Sequence, residues 1–396
     1  MKILKIKILN LPLFAETLEV NFYASQRVSK EKNEMLTNIY SNNSTNIYTN
    51  NVLSFIGINA SGKTSTLKAI SFVIQMLKNK PINSIGCNSI LNGLSSNEEI
   101  CFESYFCDGD FVYKLETYIK KSNNVMNNSD VYVISKEFIW SKSMKSIKSK
   151  DALFDFNENN IKEIRNSEDS YLLDDVSIIV GHNKKNNTKI EMIDSIEWTN
   201  INSLRMIGTF PLELIRFLDP SIEYLEFKNE VSEESLELTL KFLGKEELFL
   251  NSPLELTKHL SSGTIKGINV FIAAMMILQS GGYLIVDELE NHFNIEIVST
   301  LIKFFTDSTT NKNGATILFS THYTELIDIL ERNDCVYVSR NIGGVSTKNL
   351  CDILDRNDVK KSEWFQSGYL KQTTPSYQGY IDFKRKLIRF IRDGEV

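Results

Sequence analysis

The stretch Val52-Leu53-Ser54-Phe55-Ile56-Gly57-Ile58-Asn59-Ala60-Ser61-Gly62-Lys63-Thr64 decides how this chain is read. Its first five residues form a short apolar run, as expected for a strand buried on both faces of a parallel sheet. The next eight, Gly57 to Thr64, fit G-x-x-x-x-G-K-[ST] at every fixed position. Beyond them Leu67, Ile70, Val73, Ile74 and Leu77 recur at helical spacing. Strand, glycine loop and helix in that order are the setting this motif needs. The glycines let the loop bend so that successive backbone N–H groups converge on phosphate oxygens, and the helix start adds its positive dipole end. The expected cradle comprises Gly57, Asn59, Ala60, Ser61, Gly62, Lys63, Thr64 and Ser65. Lys63 is expected to reach the β- and γ-phosphates, and the Thr64 hydroxyl to bind Mg²⁺.

Three later segments extend the chemistry. Tyr283-Leu284-Ile285-Val286 is an apolar strand ending in Asp287-Glu288. That places one carboxylate, Asp287, beside a magnesium ion and a second, Glu288, where it can orient or deprotonate an attacking water. About twenty residues upstream, Leu260-Ser261-Ser262-Gly263-Thr264 opens a long apolar helix and offers hydroxyls and N–H groups to an anion. On its own that turn reads as an ordinary helix cap. Downstream, Ile317-Leu318-Phe319-Ser320-Thr321-His322 is an apolar strand ending in one of only four histidines, and a γ-phosphate contact is expected for His322.

The remainder of the chain bounds these readings. It has 396 residues, 42% apolar and 24% charged, with a formal charge of −6. That is ordinary for a globular protein, and any nucleic-acid contact would need a local basic patch. Five cysteines without a C-x-x-C pair argue against a zinc ribbon and for free thiols in a reducing cytoplasm. No signal peptide is evident, and the longest apolar run, Val270 to Leu278, is about half a membrane span. The alternation in Lys2–Asn10 and Leu18–Tyr23 predicts a hairpin, and residues 25–50 read as a polar surface excursion. A second hairpin is predicted about Asp108-Gly109-Asp110, a strand over Val131–Trp140, and a third hairpin over Leu236–Leu250 turning at Gly244-Lys245. Helices are expected from Leu254 through Met276 and over Ile295–Phe305, with a strand at Ala315–Phe319. The basic tail Phe383–Arg392 reads as a solvated amphipathic helix, with a basic contact helix as the alternative. No sustained heptads are present.

Taken in order, the phosphate loop, the Ser-Ser-Gly-Thr turn, the acidic strand and the histidine strand resemble ABC-type ATPase heads, in the SMC/RecF/OLD branch. GINASGKTS, LSSGTIKG, YLIVDELENHFN and ILFSTHYTELID look most like the stand-alone AAA ATPases of bacterial anti-phage and abortive-infection systems. The resemblance covers residues 1–75 and 205–345 well and the middle poorly. It implies an α/β P-loop NTPase fold: an ABC-ATPase head with an N-terminal antiparallel β subdomain and a helical or irregular insertion. The implied divisions are 1–140 (N-terminal lobe), 141–204 (insertion), 205–345 (C-terminal lobe) and 346–396 (C-terminal extension). It implies ATP and Mg²⁺ as ligands, Lys63, Glu288 and His322 as catalytic residues, and a head-to-tail homodimer or higher homo-oligomer sandwiching nucleotide. Ser262 and Gly263 would bind the partner protomer's γ-phosphate, and Asn291 and His292 would lie in the interface loop. Where the family has a glutamine between the phosphate loop and the Ser-Gly turn, this chain has only Gln75, inside the first helix. The tail after His322 lacks the clustered acidic residues of an OLD nuclease, so a separate effector, a nuclease or toxin, is expected. DNA contact stays open, a membrane contact is not expected, and cytoplasmic location is. A RecF/SMC-like repair ATPase, a transporter-energising subunit and a non-hydrolysing ATP-binding scaffold are the competing readings.

Overall fold

A computed structural model of the full chain describes residues 1–28, 35–41, 45–126, 129–165, 172–196, 198, 210–229, 236–291, 293–354, 360–366 and 377–393. In chain order come β1 (Lys2–Leu9), β2 (Leu18–Asn21), β3 (Leu36–Ser41), β4 (Asn46–Asn50), β5 (Val52–Ile56) and helix α1 (Lys63–Leu77). Then follow β6 (Glu99–Asp108), β7 (Phe111–Met126), β8 (Ser129–Ser143), β9 (Ile161–Ile164), α2 (Ile179–Asn186), β10 (Met192–Asp194) and α3 (Leu212–Leu218). The second half contains β11 (Ile222–Asn229), β12 (Leu236–Phe242), β13 (Leu248–Leu250), α4 (Ser262–Ser280), β14 (Tyr283–Val286), α5 (Ile295–Thr306) and β15 (Thr316–Thr321). It ends with α6 (Thr324–Asp328), β16 (Val336–Asn341), β17 (Val345–Asn349), α7 (Lys361–Gln366) and α8 (Tyr377–Asp393).

The central sheet has the order β10-β14-β15-β5-β16-β17. Its strands are parallel except where β17 folds back antiparallel on β16. All five residues of β5 are buried, as are all four of β14 and all six of β15. Side chains on both faces of these strands meet protein, which is why they read as unbroken apolar runs rather than alternations. A second, antiparallel sheet has the order β2-β1-β6-β7-β8-β9. Helix α1 carries buried residues on most of its circumference, among them Phe72, whose ring stacks on Phe102 of β6 at 5.2 Å between centroids. Two buried tyrosines also join the layers: the Ile3 N–H donates to Tyr283 Oη and the Asn21 N–H to Tyr337 Oη, both at 2.7 Å.

Helix α4 is long and apolar enough to cross a membrane by composition alone, yet more than half of it is buried within the protein. Val270, Phe271, Ala273, Ala274 and Ile277 join the main core. Ile265 and Ile268 join a separate core with Leu238 and Leu240 of β12. The small sheet β11-β12-β13 therefore grips the first turns of α4.

The structure revises several expectations from the sequence. Residues 25–50 are not only a surface excursion, since β3 and β4 form a hairpin that buries Ile47 and Thr49. The segment 141–204, read as helical or irregular, supplies β9 to the antiparallel sheet and β10 to the edge of the central sheet beside β14. β11 extends the expected 236–250 hairpin to three strands. The helix expected from Leu254 begins only at Ser262, after a 3₁₀ segment over Pro253–Lys258 whose Leu256 belongs to the small core. Helix α8 is exposed from Tyr377 to Arg392 except at Ile381, which is half-buried, as a solvated amphipathic helix would be.

Candidate functional site

The parallel strands β5, β14 and β15 end together. The register pairs Val286 with Phe319 and Thr321 with Ile56, so the loops that leave their C-terminal ends meet above one edge. In open α/β sheets this edge is where ligands bind. A cleft of about 530 Å³ lies there, lined by Pro12, Leu13, Asn59 to Ser65, Glu288, His322, Asn341, Gly344 and Val345.

The loop after β5 has the bent backbone its glycines foretell. Gly62 has φ +93°, and a Cβ there would lie 2.4 Å from Cγ1 of Val345. Ala60 also has positive φ, at +61°. Its carbonyl accepts from Asn341 Nδ2 at 3.1 Å, which holds the loop against β16. Ser61 is buried, and its hydroxyl has no hydrogen-bond partner among the described residues. The Lys63 ammonium folds back on the loop, donating to the carbonyls of Gly57 (2.9 Å) and Ile58 (3.0 Å), with His322 Nδ1 at 3.2 Å. Burial pulls the Lys63 pKa down, and the carboxylates of Asp287, Glu290 and Glu288 oppose that shift.

The second half of the site is a chain of short contacts. The Thr64 hydroxyl donates to Asp287 Oδ2 at 2.7 Å, and the Ser320 hydroxyl to Asp287 Oδ1 at 2.5 Å. Ser320 Oγ also accepts the Glu288 N–H at 2.7 Å. Glu288 has φ +47°, a strained conformation for a residue with a side chain, and its neighbours hold it there. The carbonyl of Glu288 accepts from the Asn291 N–H (2.9 Å) and from Lys266 Nζ (3.3 Å). Its carboxylate faces His322 Nε2 at 3.6 Å. His322 Nδ1 also lies 3.0 Å from the Gly57 carbonyl oxygen, so this ring nitrogen faces both a donor, Lys63, and an acceptor. The His322 backbone N–H donates to Glu290 Oε1 at 2.5 Å, while the other oxygen of this buried carboxylate has no partner among the described residues.

The structure thus brings together Gly57, Asn59 to Ser65, Asp287, Glu288 and His322. Ser262 and Gly263 are not among the residues that line the cleft. They form the first turn of α4, half-buried, where the Ser261 hydroxyl caps the helix by accepting the Thr264 N–H at 3.0 Å. Asn291 is exposed beside Glu288, and His292 lies outside the described residues. Gln75 is remote from the cleft, bonded to Ser71 and Lys80. The structure adds residues that the motifs did not flag: Ser320, Glu290, and the wall formed by Pro12–Leu13 and Gly344–Val345. Ser320 left a trace in the sequence as a polar residue late in an otherwise apolar strand, and Lys266 stands where the resembled family often has a basic residue, with no role assigned to it by the sequence.

The arrangement suits a magnesium nucleotide. The loop backbone, Lys63 and the unpartnered Ser61 hydroxyl are donors for a polyphosphate. Thr64 and Asp287 present hard oxygen atoms side by side. Mg²⁺ is held in this way in phosphate sites, by one or two protein oxygens and by phosphates rather than in an all-protein cage. Among the described residues no group of three or more His, Cys, Asp or Glu is placed to hold a metal.

Comparison with known proteins adds the following. The sequence model of the family described as "AAA domain, putative AbiEii toxin, Type IV TA system" matches residues 52–328. No curated protein matches the chain. Among solved structures, one similar to this chain is titled "Crystal structure of the SmcHead bound to the C-winged helix domain of ScpA". The identity is 12% and the TM-score 0.45, over 90% of this chain and 100% of that one.

Proposed function

The chain belongs to the AAA-domain family that includes putative AbiEii toxins of type IV toxin–antitoxin systems, and we propose that it is an ABC-type ATPase hydrolysing ATP to ADP and phosphate. The observation that carries the reading is the unbroken line of contacts Thr64–Asp287–Ser320–Glu288, with Glu288 facing His322 and His322 facing Lys63. A structural ion-pair network would not need a phosphate loop at one end and a strained carboxylate at the other.

The loop N–H groups and Lys63 bind the β- and γ-phosphates. Thr64 and Asp287 would hold Mg²⁺, which when bound would neutralise charge on those phosphates. Glu288, exposed to the cleft, orients the attacking water and accepts its proton; a general base in this position contributes about 10²- to 10⁴-fold. His322 contacts the γ-phosphate and holds the Glu288 carboxylate through Nε2. Ser262 and Gly263, at the amino end of α4, complete the site of a second protomer by donating to its γ-phosphate. ATP therefore stabilises a closed dimer, and hydrolysis releases it. The resemblance of the motifs to stand-alone anti-phage ATPases supports a role in defence, in the cytoplasm, with the dimer's opening and closing controlling a separate effector. The family description is compatible with that role.

The test is ATP turnover by wild type against Glu288→Gln, together with sizing of Glu288→Gln with and without Mg·ATP. The reading expects turnover lost and a nucleotide-dependent dimer gained. Equal turnover rates reject Glu288 as the base, and an unchanged size at high protein concentration rejects the shared site.

A further inference from the structure

We infer that Lys266 is a positioning residue that ties the Glu288 of its own protomer to the Ser262–Gly263 turn presented to another protomer. The inference deepens the ATPase reading and rests on it. Lys266 follows Gly263 by three residues on α4, and its Nζ reaches the Glu288 carbonyl at 3.3 Å. The lysine is half-buried and lies 5.8 Å from the ring centroid of Phe293.

Two features make this contact more than packing. First, Glu288 is a non-glycine residue at φ +47°, and such a conformation persists only where its surroundings over-determine it. Three donors and acceptors fix its peptide groups: Ser320 on the N–H side, and Asn291 and Lys266 on the carbonyl. Ser320 comes from the neighbouring strand β15, and Asn291 from the turn that follows Glu288. Lys266 alone of the three comes from the helix that carries the serine-glycine turn. Second, the start of α4 is held together as a unit. Ser261 caps it through the Thr264 N–H, and Thr264 and Ile265 are buried beside it. A shift of Ser262 and Gly263 on a partner's nucleotide is carried through that turn to Lys266 and then to the carbonyl of Glu288. Each protomer's catalytic carboxylate thereby reports whether its own turn is engaged elsewhere.

The test compares Lys266→Met and Lys266→Arg with wild type, reading kcat and KM for Mg·ATP, the affinity for a fluorescent ATP analogue, and thermal melts. Misplacing a reacting group by about an ångström costs up to about 100-fold. Lys266→Met is therefore expected to lower kcat about 10- to 100-fold, with analogue affinity within about twofold of wild type. Lys266→Arg, which can still donate to the carbonyl, is expected to retain most of the rate. If Lys266→Met melts early, Lys266→Gln serves in its place, because its shorter amide does not span the gap. Wild-type kcat in the Met or Gln variant overturns the inference, as does a parallel loss of rate and affinity. Wild type that does not turn over, or that is no faster than Glu288→Gln, overturns the ATPase reading and this inference with it. Active wild type, inactive Glu288→Gln and a fully active Lys266→Met overturn this inference alone.

Discussion

Ser320→Ala removes one hydroxyl and tests whether the two carboxylates at the end of β14 act as a coupled pair. Ser320 is fully buried. It donates to Asp287 Oδ1 at 2.5 Å and accepts the Glu288 N–H at 2.7 Å. A hydrogen bond to a charged group contributes about 1.5–3 kcal/mol and a neutral one about 0.5–1.5 kcal/mol. Their sum spans about 2–4.5 kcal/mol. Asp287 is half-buried, so water replaces part of the lost bond and the lower end, about 2 kcal/mol, is expected. In urea melts this appears as a lower midpoint at unchanged slope. The loss in rate is larger in proportion. Without its N–H anchor, Glu288 is free to leave its φ of +47°, and kcat should fall about 10- to 100-fold while nucleotide affinity changes little. A Ser320→Ala protein with wild-type kcat and a wild-type midpoint would refute the idea that this hydroxyl sets the geometry of Glu288.

Other perturbations probe the loop, the antiparallel sheet and the thiols. Gly62→Ala places a methyl 2.4 Å from Val345 Cγ1 at φ +93°; strain of about 1–3 kcal/mol predicts nucleotide affinity weaker by roughly 5- to 150-fold in a fluorescent-analogue titration. Glu137 is fully buried and accepts from Thr117 and Ser177 at 2.6 Å and from the Ile178 N–H at 2.8 Å, with Arg165 at 3.7 Å. Glu137→Ala strands those donors and an arginine, and should cost about 3–5 kcal/mol in chemical melts without changing the nucleotide site. Burial pushes the thiols of Cys107 up to about 11 and of Cys101 and Cys351 to about 12. Because the folded chain keeps these protons and the unfolded chain loses them above about 8.5, stability present below that pH is lost as pH rises toward 11. A thermal-melt series should decline over that window, and less steeply for Cys101→Ala.

What the sequence disclosed depended on how local each signal was. β5, α1, β14 and the Asp287–Glu288 pair were legible because each combines an unbroken apolar run, or helical spacing, with a motif at its end. β10 was illegible: three residues beside polar flanks carry no periodicity, and only pairing with Tyr283–Ile285 makes them a strand. The β3–β4 hairpin was hidden by its Asn, Ser and Thr content, although Ile47 and Thr49 are buried. Helix α4 appeared to start early because Leu256 and Leu260 stand at the i, i+4 spacing of a helix, whereas both fill the small core under β12. In the site itself, spacing marked the motif residues that the fold brings together around the cleft. The contacts of Ser320, Glu290 and Lys266 were not legible, because each reaches a residue more than twenty positions away through a backbone atom that no pattern encodes.

The wall behind the phosphate loop has a practical consequence for anyone shortening this chain. Val345 exchanges backbone hydrogen bonds with Leu13 and Ala15, at 2.8 and 2.9 Å, and its methyls fill the space beside Gly62. β16 pairs directly with β5. The family match ends at residue 328, before either strand of this wall. A truncation at that boundary would keep every signature residue and still expose the flank of β5 to solvent, so the shortest piece able to grip a nucleotide must run through β17.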